Sequence, residues 1–263
     1  MDLDSLTREV VQLAKKAGDF IRTERLNFSS DKIEIKGKND LVTYVDKTAE
    51  LILVKGLKVL LPGSGFITEE DTANNKGEFN WIIDPLDGTT NFIHGIPCYA
   101  VSVGLEHKGE IIVGVVYEVS RDECFWANKN SKAYLNGKEI NVSACKQLSD
   151  ALIATGLPVN DFSKMDAYLK VIEHFIRNTH GIRRIGSAAS DLCYLACGRV
   201  DAFFEYNLKP WDVAAGSLIV KQAGGVVTDF SGKNNYLFGR EICTANPVLM
   251  DSFLEVISKN FLQ

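Results

Sequence analysis

The sequence has no long apolar run, no basic block and no paired-cysteine signature, and each absence narrows what it can do. No stretch approaches the roughly 18 uncharged apolar residues of a spanning helix, so no membrane span is expected. Lys and Arg number 29 against 34 Asp and Glu, a formal net charge of −5, with no cluster of the kind that neutralises a phosphate backbone. No nucleic-acid partner is expected on that ground. The six cysteines (Cys98, Cys124, Cys145, Cys193, Cys197 and Cys243) form no C-x-x-C. Cys193 and Cys197 lie four apart on an expected helix, but no histidine pair accompanies them, so reduced thiols in a cytoplasmic core are expected rather than zinc. The first residues, MDLDSLTREV, are charged from position 2 and lack the basic-then-apolar order of a signal peptide. No Pro/Ser-rich linker, internal repeat or low-complexity tract divides the chain.

What is present is ordinary globular composition: 263 residues, 46% hydrophobic and 24% charged. The spacing of Leu3, Leu6, Val10, Leu13, Ala14, Ala17 and Ile21 predicts an opening helix. Asn39–Thr43 leads into a second helix, capped by Thr43 with Asp46 three residues on, that stops at Pro62-Gly63. Short strands are expected at Gly65–Thr68, Phe79–Ile83, Cys98–Glu106, Ile111–Val119 and Glu123–Ala127, with an Asn136-Gly137 hairpin turn after them. The last third alternates: strands at Ala151–Thr155, Val200–Phe204, Val226-Val227 and Ile242-Cys243, and helices at Met165–Arg177, Gly186–Cys197, Pro210–Ala223 and Asn246–Phe261. The pattern is mixed α/β (α+β), in one body of residues 1–263 with two intimate halves, about 1–145 and 146–263.

The densest chemistry is Trp81–Phe92, WIIDPLDGTTNF. An apolar strand delivers Asp84, Pro85 fixes the backbone, and Asp87 follows three residues later. Two carboxylates meeting at a strand end repel each other, and burying them is costly unless a cation intervenes. Mg²⁺, a hard ion, takes oxygen ligands and keeps water and substrate phosphate in its shell. The Leu86 carbonyl and the Thr89 hydroxyl add oxygens, and a helix beginning near Gly88 would turn its free N–H groups toward an anion. Asp-Pro-x-Asp-Gly alone is also a common surface turn. Two further acidic groups at element ends tip the balance: Glu69-Glu70, and Asp212 after Pro210-Trp211. Alone, the first is a solvated pair and the second an acid favoured in a helix's first turn. Together the four sites hold carboxylates enough for two cations.

These motifs resemble those of the inositol monophosphatase family, within the lithium-sensitive, Mg²⁺-dependent sugar-phosphatase superfamily. The matching pieces are Asp40-Leu41-Val42-Thr43 with Asp46, Ile67–Glu70, Trp81–Phe92, Gly186–Ala189, Glu205 with Trp211–Gly216, and Ala223–Val226. The resemblance implies a layered α-β-α-β-α sandwich of the sugar-phosphatase type and a phosphomonoesterase acting on a small phosphorylated polyol. It implies that Glu69, Asp84, the Leu86 carbonyl and Thr89 serve the activating metal or its water. Asp84, Asp87 and Asp212 would ligate a second metal, and Asp46 would hydrogen-bond the motif's threonine. Gly88 and Thr89 would bind phosphate, while Gly186, Ala188 and Glu205 would contact the inositol or sugar. Catalysis would then fall to Glu69, Thr89 and Asp46, and substrate binding to Asp87, Gly88, Thr89, Gly186, Ala188, Glu205 and Asp212. A homodimer is implied too. The expected reaction is direct in-line attack by a water on the metal, assisted by two or three ions, with no covalent intermediate; no serine or cysteine nucleophile motif is present.

Departures lie on the substrate side: Pro210 stands two before Asp212, and the span from Lys36 or Lys38 to Asp46 is slightly short. His94 reads as a structural or rim residue in preference to a catalytic acid, and Arg183 and Arg184, which could attract phosphate, read first as surface or interface charges. Three other functions stay open. A 3′(2′),5′-bisphosphate nucleotidase is disfavoured by Thr90-Asn91, where such relatives carry Lys-Glu. A histidinol or sugar phosphatase shares the metal core, though Glu205 favours a neutral polyol. The third is a catalytically idle binding protein docking onto nucleic-acid machinery.

Overall fold

Helix α1 (Leu3–Leu26) begins where the Asp2 carboxylate accepts the N–H groups of Asp4 and Ser5, at 3.0 and 3.2 Å. Its Val10, Ala14, Ala17 and Ile21 recur on one face and are fully buried. The structure, a computed structural model, describes residues 1–28, 33–37 and 40–262, with side chains described except at 33–37 and 40–42. Strands β1 (Ile33–Gly37) and β2 (Asp40–Thr43) form an antiparallel hairpin. The sequence reads Asn39–Thr43 as a lead into the next helix, and the structure gives Asp40–Thr43 as a strand instead; Lys38 and Asn39 lie outside the described residues. Helix α2 (Tyr44–Leu60) starts as expected, with Thr43 capping the Val45 N–H while the Asp46 carboxylate reaches back to the Thr43 N–H at 2.9 Å.

Seven strands then form one sheet in sequential order: β3 (Gly65–Thr68), β4 (Phe79–Asp87), β5 (Ala100–His107), β6 (Glu110–Glu118), β7 (Glu123–Asn128), β8 (Ala133–Leu135) and β9 (Lys138–Ile140). Between β4 and β5 lies the short helix α3 (Thr89–His94). Only β3–β4 is parallel; the other pairs are antiparallel. Asn136 and Gly137 both have positive φ, 48° and 80°, the turn the Asn-Gly pair predicts.

The second sheet has five strands, β10 (Leu152–Thr155), β11 (Gly181–Arg183), β12 (Ala202–Tyr206), β13 (Val226–Thr228) and β14 (Glu241–Ala245), in the order β11-β10-β12-β14-β13. Helix α4 (Met165–Asn178) joins β10 to β11, α5 (Ala188–Ala196) joins β11 to β12, α6 (Pro210–Gln222) joins β12 to β13, and α7 (Met250–Phe261) ends the described fold. Helix α7 begins later than the Asn246 start expected from sequence. The Asn246 side chain accepts the N–H groups of Val248 and Leu249 at 2.9 and 3.0 Å, which forms a turn before the helix.

Three cores set the layering. Val10, Leu53 and Leu57 of α1 and α2 pack with Trp81, Ile83 and Val103 on one face of the large sheet. On its other face, Ile82, Ala100 and Val116 meet Leu192, Ala214 and Ile219 of α5 and α6. Those helices in turn cover the small sheet, whose far face packs Phe204 and Cys243 against Phe175 of α4 and Phe253 of α7. The order is α-β-α-β-α, as the resemblance implied. Sequence explains the middle layer. Helix α6, PWDVAAGSLIVKQ, buries Val213 through Val220 without interruption, so it can only lie between two apolar surfaces. Burying each Leu, Ile or Phe in such a layer contributes about 1.5–3 kcal/mol relative to exposure.

Helix α6 also lies unusually close to the large sheet. Gly104 and Gly114 face each other across β5 and β6. A Cβ at Gly104 would stand 3.0 Å from the Ala214 Cβ, and one at Gly114 would stand 2.6 Å from the Ala215 carbonyl oxygen. The absent side chains let the N-terminus of α6 approach β4.

Candidate active site

The strand carrying the two central carboxylates is not regular. Sequence placed its end at Ile83, before Pro85, but β4 continues to Asp87 with a break in register. Asp84 pairs with Ser102 and Asp87 with Ala100, so three residues on β4 span two on β5. That extra residue is a bulge, and it shifts the alternation of faces by one. Residues an odd number apart would otherwise point to opposite sides. Here both acids turn toward α5 and α6. The Leu86 N–H donates to Asp84 Oδ1 at 2.9 Å and holds the bend.

Each neighbouring element brings one more group. The parallel pairing of β3 with β4 continues as Glu69 N–H to the Ile83 carbonyl at 3.2 Å, which sets Glu69 beside Asp84. The Ser102 hydroxyl donates to the Trp211 carbonyl at 3.1 Å and fastens the start of α6 against β5. Asp212 follows, its Oδ2 accepting the Lys209 N–H at 2.7 Å. The helix-capping role expected of an acid at this position and a place at the site therefore coexist in one carboxylate. Asp87 Oδ2 accepts the Ser187 hydroxyl and the Ala189 N–H, both at 2.7 Å. Carboxylate oxygens of Asp84, Asp87 and Asp212 lie within 4.8 Å of one another.

Beside them, the Thr89 hydroxyl lies 3.0 Å from both Asp46 Oδ1 and the Leu86 carbonyl oxygen. Asp46 is itself held by the Thr43 hydroxyl at 2.6 Å. Gly88, just ahead of α3, has φ 93°, a conformation that disfavours any side chain. The buried Asn91 amide donates to the carbonyls of Cys98 and Ile185, at 2.8 and 2.9 Å, and ties α3 to the turn at Gly186.

These residues border a cavity of about 320 Å³. Glu69, Asp87, Gly186, Ala188, Glu205 and Asp212 line it. Asp84 is buried beneath that wall, and Asp46 is buried behind Thr89. The structure thus makes neighbours of Glu69, Asp84, Asp87 and Asp212, with Thr89, Leu86 and Asp46 adjoining them. His94 is exposed and outside the cavity lining. Arg183 and Arg184 are both exposed, and Arg184 in addition lines the cavity. Asp191 also lines the cavity and went unnoticed in the sequence, where an acid in a helix's first turn is unremarkable. The only sequence signal for it was its position five residues after Gly186.

Electrostatically the site wants positive charge. Burial, and then the charges of Glu69, Asp87 and Asp212, push Asp84 well above the usual carboxylate range. Glu69 is also raised well above it, chiefly by burial; its hydrogen bond with Asp84 opposes this, while Asp212, Glu70 and Asp46 add to it. Burial brings Asp87 up to about 6 against the Ser187 and Ala189 donors. Burial and the Asp87 charge bring Asp212 up to about 7. Asp46 is raised by burial despite the donors from Thr43 and Thr89. Glu69 Oε2 is buried without a hydrogen-bond partner. An all-oxygen donor set with mutually repelling, desolvated carboxylates suits a hard divalent cation.

Comparison with known proteins agrees. The model of the inositol monophosphatase family matches residues 2–260. Nus factor SuhB of Escherichia coli K12 is 40% identical over 246 residues, covering 93% of this chain and 92% of that one. The crystal structure of the extragenic suppressor protein suhB from Bartonella henselae superposes with a TM-score of 0.91 at 38% identity, covering 97% and 99% of the two chains. An IMPase from Thermotoga maritima gives 0.87 at 35% identity, covering 95% of each. The name Nus factor overturns one expectation. Exclusion of a nucleic-acid partner, drawn from the acidic net charge, does not stand against a relative this similar that is named for a role in transcription. Net charge reports on the whole surface and is blind to docking on one patch. No helix among the described residues is long and apolar enough to cross a membrane.

Proposed function

Because the chain belongs to the inositol monophosphatase family, we propose that it is a Mg²⁺-dependent phosphomonoesterase that hydrolyses inositol monophosphate to myo-inositol and phosphate. The observation that carries this reading is the convergence of Asp84, Asp87 and Asp212 oxygens within 4.8 Å, beside the unpartnered oxygen of Glu69. Glu69, Asp84 and the Leu86 carbonyl would hold one cation, and Asp84, Asp87 and Asp212 a second. Bound there, Mg²⁺ supplies an acidified water and neutralises charge on the phosphoryl oxygens.

The remaining work is the chain's own. With Thr89 donating to Asp46, its oxygen can accept a hydrogen bond from the attacking water, and as the water's proton moves to Thr89 the hydroxyl's own proton would pass to the Asp46 carboxylate, the base of the pair. Glu69 fixes that water's orientation from the other side. The backbone at Gly88 and Thr89 cradles the phosphate. Gly186, Ala188 and Glu205 receive the polyol, and the Glu205 carboxylate accepts its hydroxyls while repelling a second phosphate. The chain works as one catalytic domain with this site between its halves. Lithium sensitivity belongs to the same reading, and the six free cysteines support a reducing, cytoplasmic setting.

The test is phosphate release, with and without Mg²⁺, from inositol 1-phosphate, 3′-phosphoadenosine 5′-phosphate, fructose 1,6-bisphosphate and histidinol phosphate. Mg²⁺-dependent preference for the inositol ester is expected. Preference for another ester would keep the metal chemistry and replace the substrate. No release from any of them would reject the enzyme reading.

The name of the Escherichia coli relative favours a second role, as a Nus factor, alongside or in place of hydrolysis. Transcription assays with the purified chain test it. An effect preserved in Asp84→Asn would separate it from the phosphatase chemistry.

A further inference from the structure

We propose that Asp191 is a specificity-determining residue that accepts hydrogen bonds from hydroxyl groups on the non-reacting part of the substrate; this rests on the phosphatase reading above and narrows it to polyhydroxylated esters. Asp191 lies in the first turn of α5 and is 1% exposed. Neither of its carboxylate oxygens has a hydrogen-bond partner. Buried acids without donors are rare, and each calls for a reason.

Fold maintenance does not supply that reason. The Ser187 hydroxyl caps α5 by accepting the Ser190 N–H at 3.3 Å, and Asp87 takes the Ala189 N–H at 2.7 Å. Nothing at the helix start is left for Asp191 to satisfy. Among the described residues, no Lys, Arg or His lies within ion-pair distance of it.

What Asp191 does face is the cavity, together with Arg184 and Glu205. Glu205 and Asp87 repel its charge, and Arg184 partly offsets them. Asp191 and Glu205 thus place two carboxylates, rich in acceptors and poor in donors, along one wall. Hydroxyls on neighbouring carbons would satisfy both. A second phosphate would meet two like charges. An aryl or alkyl ester would leave both acids desolvated and unpaired, the condition under which hydrogen-bonding sites discriminate most strongly.

The experiment compares Mg²⁺-loaded wild type, Asp191→Asn and Asp191→Leu on inositol 1-phosphate and on p-nitrophenyl phosphate, whose leaving group carries no further hydroxyl. Asp191→Leu is expected to raise KM for the inositol ester about tenfold or more, with kcat and all p-nitrophenyl phosphate kinetics within about twofold of wild type. Asp191→Asn, which keeps one acceptor oxygen and the same shape, should fall between. Both should melt at or above the wild-type temperature, since each removes an unpaired buried carboxylate. Equal losses on both substrates, or an unchanged KM for the inositol ester, would overturn the inference alone. Wild type active only on p-nitrophenyl phosphate would also overturn it. Wild type inactive on both would reject the phosphatase reading and the inference with it.

Discussion

The Thr89 hydroxyl and Asp46 Oδ1 stand 3.0 Å apart, linking the start of α3 to the start of α2 across 43 positions of sequence. Asp46 serves twice: one oxygen closes the capping box with Thr43, and the other meets Thr89. Thr89→Val removes the hydroxyl with little change of shape. It should lower kcat for phosphate release about 100-fold with KM within about twofold, and Thr89→Ser should restore most of the rate. Steady-state kinetics on inositol 1-phosphate check this; a normal kcat for the valine variant would exclude Thr89 from proton handling.

Asp84 lies among Glu69, Asp87 and Asp212 and is held by the Leu86 N–H. Asp84→Asn should reduce turnover by at least about 100-fold and weaken Mg²⁺ binding measurably by titration calorimetry. Without divalent cations, its melting temperature should equal or exceed that of wild type, because a repelling buried charge has been removed.

The raised acids give a pH signature. Asp87 and Asp212 titrate near 6 and 7 in the fold against an ordinary value of 3.8. The folded state therefore binds more protons than the unfolded chain between those limits, and their contribution to stability falls as pH rises from about 4 through about 7. In chelator, the melting temperature should drop over that window, and less so in Asp87→Asn. Added Mg²⁺ should restore it most at the alkaline end, where protons no longer compete for the oxygens. A melting temperature in chelator independent of pH across the window would contradict the assignment.

Gly114→Ala would push a methyl group to 2.6 Å from the Ala215 carbonyl oxygen. Overpacking of this kind costs about 1–3 kcal/mol. Since α6 carries Asp212, the displacement should also weaken Mg²⁺ binding. Denaturant melts and metal titration of the same variant measure both effects; loss of stability without loss of metal affinity would mean that α6 yields elsewhere.

Much of the site could be read directly because its signals are local. The Thr43–Asp46 cap, the Asn136-Gly137 turn and the apolar strand ahead of Asp84 each follow from residues a few positions apart. What escaped depends on tertiary placement. The β1–β2 hairpin is too short for a clear period. Strand β11 has three residues and gains its partner only when β10 lies beside it. Arg184 and Asp191 look like ordinary surface and first-turn charges until the cavity is assembled around them. The approach of α6 to the sheet depends on two glycines on different strands, and nothing in their local sequence marks them as partners.

The bulge between Asp84 and Asp87 makes chain length, rather than side-chain identity alone, a determinant of the chemistry. Deleting Pro85 or Leu86 would leave every acid in the sequence and, two residues apart on a regular strand, both aspartates on one face, yet it would remove the extra residue whose bend lets the Leu86 N–H hold Asp84 and brings the Leu86 carbonyl to the Thr89 hydroxyl. Substitutions around the motif can be tested by what they add or remove. An insertion or deletion inside it changes the number of residues in the bulge, and that number has no intermediate value. The segment therefore works as a counter, and a gene encoding all four carboxylates with a miscounted spacer would specify the same composition without the same site.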